Sequence, residues 1–157
     1  MKLIAMLVLC SSLLWAKDKS TKDNAPFYAG PWTTLEGKKI TLFTDGKPVL
    51  MDFWASWCVA CRMATPHITA IGNDIPNLRI IGVNVEEGDL ADAHKFVEIT
   101  KMKYPSIVDI PDRLSTPLQI EGLPSIILFD AKGKILKRWL GEPEDLGDSV
   151  RQALGIE

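Results

Sequence analysis

Apolar and polar positions along the chain predict alternating strands and helices. Residues 49–54 are apolar except at Asp52, which is typical of a central strand buried on both faces. Two further apolar runs predict strands, and they lie at 78–85 and 125–129. The predicted helices span about 58–72, 89–101 and Pro143–Leu154. This alternation indicates an α/β sheet.

Shorter elements are predicted between these strands and helices. Residues 32–35 and 39–43 flank Glu36-Gly37-Lys38, which predicts an N-terminal β-hairpin. We expect Pro66 to bend the first long helix, because proline lacks a backbone N–H. The remaining predictions are turns at 45–48 and 130–133, an extended piece at 104–108, a short helix at 113–120 disturbed by Pro117, and a strand at 135–140 that pairs with 125–129.

The first sixteen residues predict a secretory signal peptide. Met1-Lys2 is positive, an apolar run follows to Leu14, and Ala16 offers a small residue for cleavage. The run is shorter than the ~20 residues of a membrane span. We therefore expect a periplasmic or otherwise extracytoplasmic protein with a flexible lead-in at 17–26 and one folded domain at 27–157. A lipid anchor at Cys10 is the alternative, since Leu7-Val8-Leu9-Cys10 partly matches a lipobox.

Composition narrows the classes of function. The chain has 157 residues, of which 46% are hydrophobic and 24% are charged, which suits one soluble domain with a real core. The formal net charge of −2 provides no strong field that would attract a polyanion. We therefore expect no nucleic-acid partner.

The cysteines supply the candidate chemistry. Cleavage after Ala16 would remove Cys10 and leave Cys58 and Cys61, whose bond would close too short a loop to stabilise the fold much. Cys58 is expected at a helix N-terminus, where unpaired N–H groups favour a thiolate, so it is the predicted nucleophile. Cys61 lies one turn further on and is the predicted resolving cysteine. A redox-active disulfide is then the only redox group needed, with no cofactor.

The alternatives to a redox role are a metal site and a pair of cysteines without a function. Zinc usually takes four ligands, and His67 and His94 are the only histidines. His67 lies too far along the predicted helix to join the cysteines easily, so we expect no metal.

Asp52 is the anomaly in the buried strand. Burial of a carboxyl without a partner is costly and raises its pKa. Beneath the cysteines it could accept the proton of Cys61, although a polar pocket or a lysine partner would also explain it. Glu86 and Glu87 follow a strand end and are expected to be solvated loop charges.

The segment from Val49 to Pro66 resembles the active-site strand and helix of the thioredoxin superfamily. The resemblance aligns Asp52 with the buried acid, Trp57 with the tryptophan before the nucleophile, and Pro66 with the helix-kinking proline. Gly122-Leu123-Pro124-Ser125 resembles the cis-proline loop, which implies a cis Pro124 and a Leu123 backbone that pairs with bound substrate. The implied fold is a central mixed β-sheet flanked by helices, with an N-terminal β-hairpin and a central extra helix and strand. Trp57 could shield Cys58 and contact a partner.

Within that superfamily the chain is similar to the exported TlpA/ResA-like group and to the C-terminal domain of DsbD. This similarity implies an enzyme, a protein-disulfide reductase, with exported protein disulfides as substrates. Apocytochrome c or a disulfide isomerase is a candidate substrate, and a membrane protein of the DsbD type is the implied electron donor. Members that act in cytochrome c maturation often carry Glu where this chain has Ala64, which weakens that role.

The residues between the cysteines favour the reducing direction. Val59 and Ala60 offer no hydrogen-bond donor to a Cys58 thiolate, and a strong oxidant needs a very stable thiolate. The alternatives are an oxidase or isomerase of the DsbA or DsbC type, a peroxiredoxin-like peroxidase, and a metal-binding module.

Overall fold

The structure, a computed structural model, describes residues 26–156. The predicted signal peptide, the lipidation alternative at Cys10 and the lead-in up to residue 25 lie outside the described residues. No helix in the described part is long and apolar enough to cross a membrane. The strands are β1 (Trp32–Thr33), β2 (Lys39–Ile40), β3 (Val49–Trp54), β4 (Arg79–Asn84), β5 (Ser106–Val108), β6 (Ser125–Phe129) and β7 (Ile135–Leu140). The helices are α1 (Val59–Asp74), α2 (Ala91–Thr100) and α3 (Leu146–Leu154).

Five of the strands form one mixed sheet, as predicted. Their order is β5-β4-β3-β6-β7, with β3 parallel to β4 and antiparallel to β6. In this register Trp54 lies opposite Asn84 and Phe53 lies opposite Ser125. The ends of β3 and β4 and the start of β6 therefore meet at one edge of the sheet.

Strand β3 is buried along its whole length because both faces of the sheet are covered. Leu50 and Trp54 pack with the helices, whereas Met51 and Phe53 pack on the opposite face. Since side chains alternate along a strand, Asp52 shares the helical face with Leu50 and Trp54. Full burial of each large apolar side chain contributes about 1.5–3 kcal/mol, which fixes the register of this strand.

The predicted N-terminal hairpin is present, with shorter strands than expected. β1 pairs with β2 in antiparallel fashion as a separate two-stranded sheet. Thr34 forms a bridge to Ile107, and the N–H of Leu35 donates to the Ser106 carbonyl at 2.9 Å. These contacts attach the hairpin to β5.

Two helix predictions need correction. Residues 113–119 form successive turns rather than a helix, because Pro117 has no N–H to donate and its ring crowds the carbonyl four residues earlier. Gln119 has φ of +55°, which also ends any helix there. The C-terminal helix begins at Leu146, since the Leu146 N–H donates to the Pro143 carbonyl in a preceding turn.

Candidate active site

The two cysteines lie at the start of α1, just after the loop that follows β3. Cys58 is the N-cap residue of α1, and its backbone is extended, with φ of −81° and ψ of 104°. Its Sγ is joined to Cys61 Sγ in a disulfide and also accepts the Cys61 N–H at 3.1 Å. The Cys58 sulfur therefore lies at the positive end of the helix dipole, where a thiolate is stabilised once the disulfide is reduced.

The two sulfurs are not equally accessible. Cys58 is 6% exposed and Cys61 is 1% exposed, so Cys58 is the cysteine nearer the surface. The side chains of Trp57, Val59 and Met63 around the helix start are all about two-thirds exposed, an unusual position for large apolar groups. The disulfide thus lies next to an open apolar surface that could contact another polypeptide.

Asp52 lies on the same face of the sheet as α1 and is fully buried. Its Oδ2 accepts a 2.7 Å hydrogen bond from the Tyr104 hydroxyl, while Oδ1 has no hydrogen-bond partner among the described residues. Burial raises the pKa of Asp52 to about 7; the Tyr104 hydrogen bond acts against this rise and the Glu142 carboxylate adds to it. A carboxyl with this pKa can exchange a proton near neutral pH.

Tyr104 is a member of the site that the sequence analysis missed. It comes from the segment just before β5, and only 9% of it is exposed. Burial and the neighbouring Asp52 raise the pKa of Tyr104 well above its ordinary value of 10.0, so it remains a hydrogen-bond donor. The sequence signal was a tyrosine in an otherwise core-like extended segment, because a buried tyrosine hydroxyl usually needs a partner.

Glu86 corrects the expectation of a solvated loop charge. Its side chain is half-buried and holds the loop before Cys58, whereas Glu87 is exposed as expected. The Glu86 Oε2 accepts the Ser56 N–H at 3.0 Å, and Oε1 accepts the Ser56 hydroxyl. Asn84 also donates from Nδ2 to Oε2 at 3.4 Å. The loop after β4 therefore fixes the loop after β3, which was missed because the partners are 30 residues apart.

The loop predicted to face the cysteines has the expected backbone. The Leu123–Pro124 peptide is cis, and Pro124 is buried. The Ser125 hydroxyl donates to the Gly122 carbonyl at 2.7 Å, and the Gly141 N–H donates to the Pro124 carbonyl at 2.8 Å. These bonds anchor the loop at the same sheet edge as the disulfide.

Trp57 and Leu123 line one surface cleft of about 610 Å³. Its far wall is the turn segment at 112–121, which follows β5. Asp109 holds the backbone of this segment in place, because its two carboxylate oxygens accept the N–H groups of Leu114 and Ser115 at 2.8 and 2.7 Å. The structure thus brings the two predicted substrate-contacting residues to one groove beside the disulfide.

His67, one of the two histidines of the chain, lies beside a carboxylate. His67 lies on α1, and its Nδ1 is 3.1 Å from Glu142 Oε1. Within residues 26–156 no group of three His, Cys, Asp or Glu side chains is placed to hold a metal ion.

Comparison with known proteins agrees with this geometry. Residues 21–138 match the AhpC/TSA family. The chain is 31% identical over 113 residues to the thiol-disulfide oxidoreductase ResA of Bacillus thuringiensis strain Al Hakam, which covers 70% of this chain and 65% of that protein. It is 30% identical over 118 residues to the thiol:disulfide interchange protein DsbE of Pseudomonas fluorescens biotype C, covering 74% and 65%. The chain thus spans just under two thirds of the length of these relatives.

A solved structure gives the same result for the fold. The thioredoxin domain of a thiol-disulfide oxidoreductase from Bacteroides vulgatus superposes with a TM-score of 0.70 at 32% identity, covering 82% of this chain and 93% of that domain. The predicted thioredoxin fold is therefore confirmed.

Proposed function

Because the chain belongs to the AhpC/TSA family, we propose that it is a thiol–disulfide oxidoreductase in which Cys58 and Cys61 exchange a disulfide with another protein. The observation that carries the proposal is the Cys58–Cys61 disulfide at the N-terminus of α1, with its outer sulfur beside an open apolar surface. A disulfide between residues three apart adds little to stability, so its position at a helix N-terminus next to an exposed apolar surface fits a reactive role.

The reaction consists of two successive thiol–disulfide exchanges. The Cys58 thiolate attacks one sulfur of the substrate disulfide, a mixed disulfide forms, and the other substrate sulfur leaves as a thiolate. Asp52 then accepts the Cys61 proton, and the Cys61 thiolate attacks Cys58 Sγ. The second substrate sulfur leaves as a thiolate, so two electrons pass to the substrate and the Cys58–Cys61 disulfide remains.

We assign the reducing direction and an extracytoplasmic location to this activity. Val59 and Ala60 are both exposed and carry no hydrogen-bond donor in their side chains, so the Cys58 thiolate has less support than a strong oxidant requires. The apolar run before Ala16 supports export. Continued turnover then requires a membrane electron donor of the DsbD type.

The substrates in this proposal are disulfides of other exported proteins. A disulfide isomerase fits this class as well as apocytochrome c does. Ala64 is 1% exposed and places a methyl group where specialised cytochrome c maturation proteins often carry Glu. That observation favours a general reductase over one devoted to apocytochrome c.

Trapping of the mixed disulfide tests the activity. The full chain is prepared with Cys10→Ser, so that Cys58 and Cys61 are the only cysteines. Adding Cys61→Ser removes the resolving thiol, and we expect a covalent adduct with a disulfide-containing protein such as insulin, seen by mass spectrometry. The matched variant Cys58→Ser keeps the buried Cys61 and should trap little.

Equal trapping by both variants, or by neither, would refute the assignment of Cys58 as nucleophile. Consumption of peroxide by the chain without exchange with insulin would instead support the peroxidase alternative.

A further inference from the structure

The Tyr104 hydroxyl is a buried polar group that the two exchange steps do not use. It reaches across 52 residues of sequence to Asp52, and the 2.7 Å bond between them lies in the protein interior. Burying a tyrosine hydroxyl without a hydrogen-bond partner costs free energy of folding, and the bond to Asp52 removes that cost. It also leaves Asp52 with one bonded oxygen, Oδ2, and one oxygen, Oδ1, that has no hydrogen-bond partner within residues 26–156.

We propose that Tyr104 is a positioning residue for the resolving step: its hydroxyl holds Asp52 Oδ2 and leaves Oδ1 to accept the proton of Cys61. The proposal rests on the proposed function. Tyr104 acts through Asp52 and does not touch the reacting sulfurs in this scheme.

The surroundings of Tyr104 support a link to the helix that carries Cys61. The Thr65 hydroxyl on α1 lies near the Tyr104 hydroxyl and acts against the rise of the Tyr104 pKa. Thr65 is fully buried, and its own hydroxyl donates to the Cys61 carbonyl at 2.8 Å. Asp52, Tyr104 and Thr65 therefore form one polar cluster between β3 and the first turns of α1.

Loss of the Tyr104 hydroxyl should shift the pKa of Asp52 in one direction. A hydrogen bond donated to a carboxylate favours the charged form, so its removal raises the pKa of Asp52 further. The other charged group that acts on Asp52 is Glu142, from the segment after β7, whose Oε1 lies 3.1 Å from His67 Nδ1. Removing the Tyr104 hydroxyl leaves this charge in place, so the basic form of Asp52 should require a higher pH.

The second release of thionitrobenzoate measures the resolving step alone. Cys58 of the reduced full chain with Cys10→Ser attacks Ellman's reagent, forms a mixed disulfide and releases a first coloured thiolate. The attack of Cys61 on Cys58 Sγ then releases the second one. We compare the pH profile of this second phase in the parent chain, Tyr104→Phe, Asp52→Asn and the double variant. Tyr104→Phe keeps the buried ring and removes only the hydroxyl.

We expect Tyr104→Phe to move the rising limb of the profile to higher pH by about one unit, which slows release up to about tenfold below the limb. In the Asp52→Asn background the same substitution should have no further effect. The carboxyl carbon of Asp52, followed by NMR in the oxidised chain, should titrate at higher pH in Tyr104→Phe than in the parent, independently of any activity.

Three outcomes would overturn the proposal. The first is an unshifted limb in Tyr104→Phe, and the second is an equal slowing at every pH, as expected of a merely structural role. The third is a Tyr104→Phe effect that persists in Asp52→Asn. A parent chain that never releases thionitrobenzoate from Cys58 would overturn the proposed function together with this proposal, and so differs from the other three.

Discussion

Asp52 is the residue whose surroundings decide how the site responds to pH. It is 1% exposed, and its pKa is about 7. The cause is burial, because ionising a carboxyl inside an apolar strand is costly. Tyr104, 52 residues further along the chain, donates the hydrogen bond that Asp52 Oδ2 accepts.

The raised pKa of Asp52 makes stability depend on pH. The folded protein holds this proton up to about pH 7, whereas the unfolded chain releases it near the ordinary value of 3.8. The neutral acid thus favours folding below pH 4, and the contribution is lost as pH rises through 7. We expect the free energy of unfolding of the oxidised chain to fall by up to about 4 kcal/mol from pH 4 to 8 on this account.

Asp52→Asn should remove this slope and be more stable than the parent at pH 8. Urea unfolding at several pH values measures the pH dependence of the free energy of unfolding. Asp74→Asn is the control at an exposed carboxyl, and it should leave that dependence in place. An Asp52→Asn chain with the parent's slope would contradict the buried, proton-holding carboxyl.

At the scale of secondary-structure elements, the strength of the local signal decided which predictions succeeded. β3 and β6 were predicted accurately because every residue of each is buried and the apolar runs are nearly unbroken. The segment at 113–119 carried a mixed signal, and Pro117 prevents a regular helix there because it has no N–H and its ring crowds the preceding turn. The Asp109 carboxylate accepts the N–H groups of Leu114 and Ser115, and these bonds could not be predicted because Asp109 lies outside the predicted helix.

The hydrogen bonds between Ser56 and Glu86 join two loops at the site. Their contribution can be measured as a coupling free energy between the two residues. Glu86 accepts both the N–H and the hydroxyl of Ser56, so Glu86→Gln and Ser56→Ala should each destabilise the oxidised chain by about 1 kcal/mol. Because the residues share these bonds, the double variant should cost clearly less than the two single changes together.

Chemical denaturation of the four chains gives this coupling energy, and Glu87→Gln serves as the neighbouring control because Glu87 is exposed. Fully additive effects would show that the Glu86 carboxylate is solvated after all.

At the scale of the whole molecule, the sheet order gathers the candidate site from distant parts of the chain. Cys58 follows β3, Glu86 follows β4 and Pro124 precedes β6, and these three strands are neighbours in the sheet. The sequence indicated the α/β class and the resemblance implied the fold, but the cleft between Trp57, Leu123 and the 112–121 segment needed the three-dimensional arrangement. The candidate site residues accordingly cluster at one edge of the sheet, on loops that three neighbouring strands hold in place.

The reduction potential of the Cys58–Cys61 couple decides whether this pair acts as a reductant. The full chain carrying Cys10→Ser is equilibrated with dithiothreitol or glutathione buffers of known potential, and the oxidised fraction is read by thiol labelling and mass spectrometry. We expect a reversible two-electron couple near the value of thioredoxin, about −270 mV. A couple near the value of DsbA, about −120 mV, would reverse the assigned direction, and a pair that shows no reversible couple would contradict the proposed function itself.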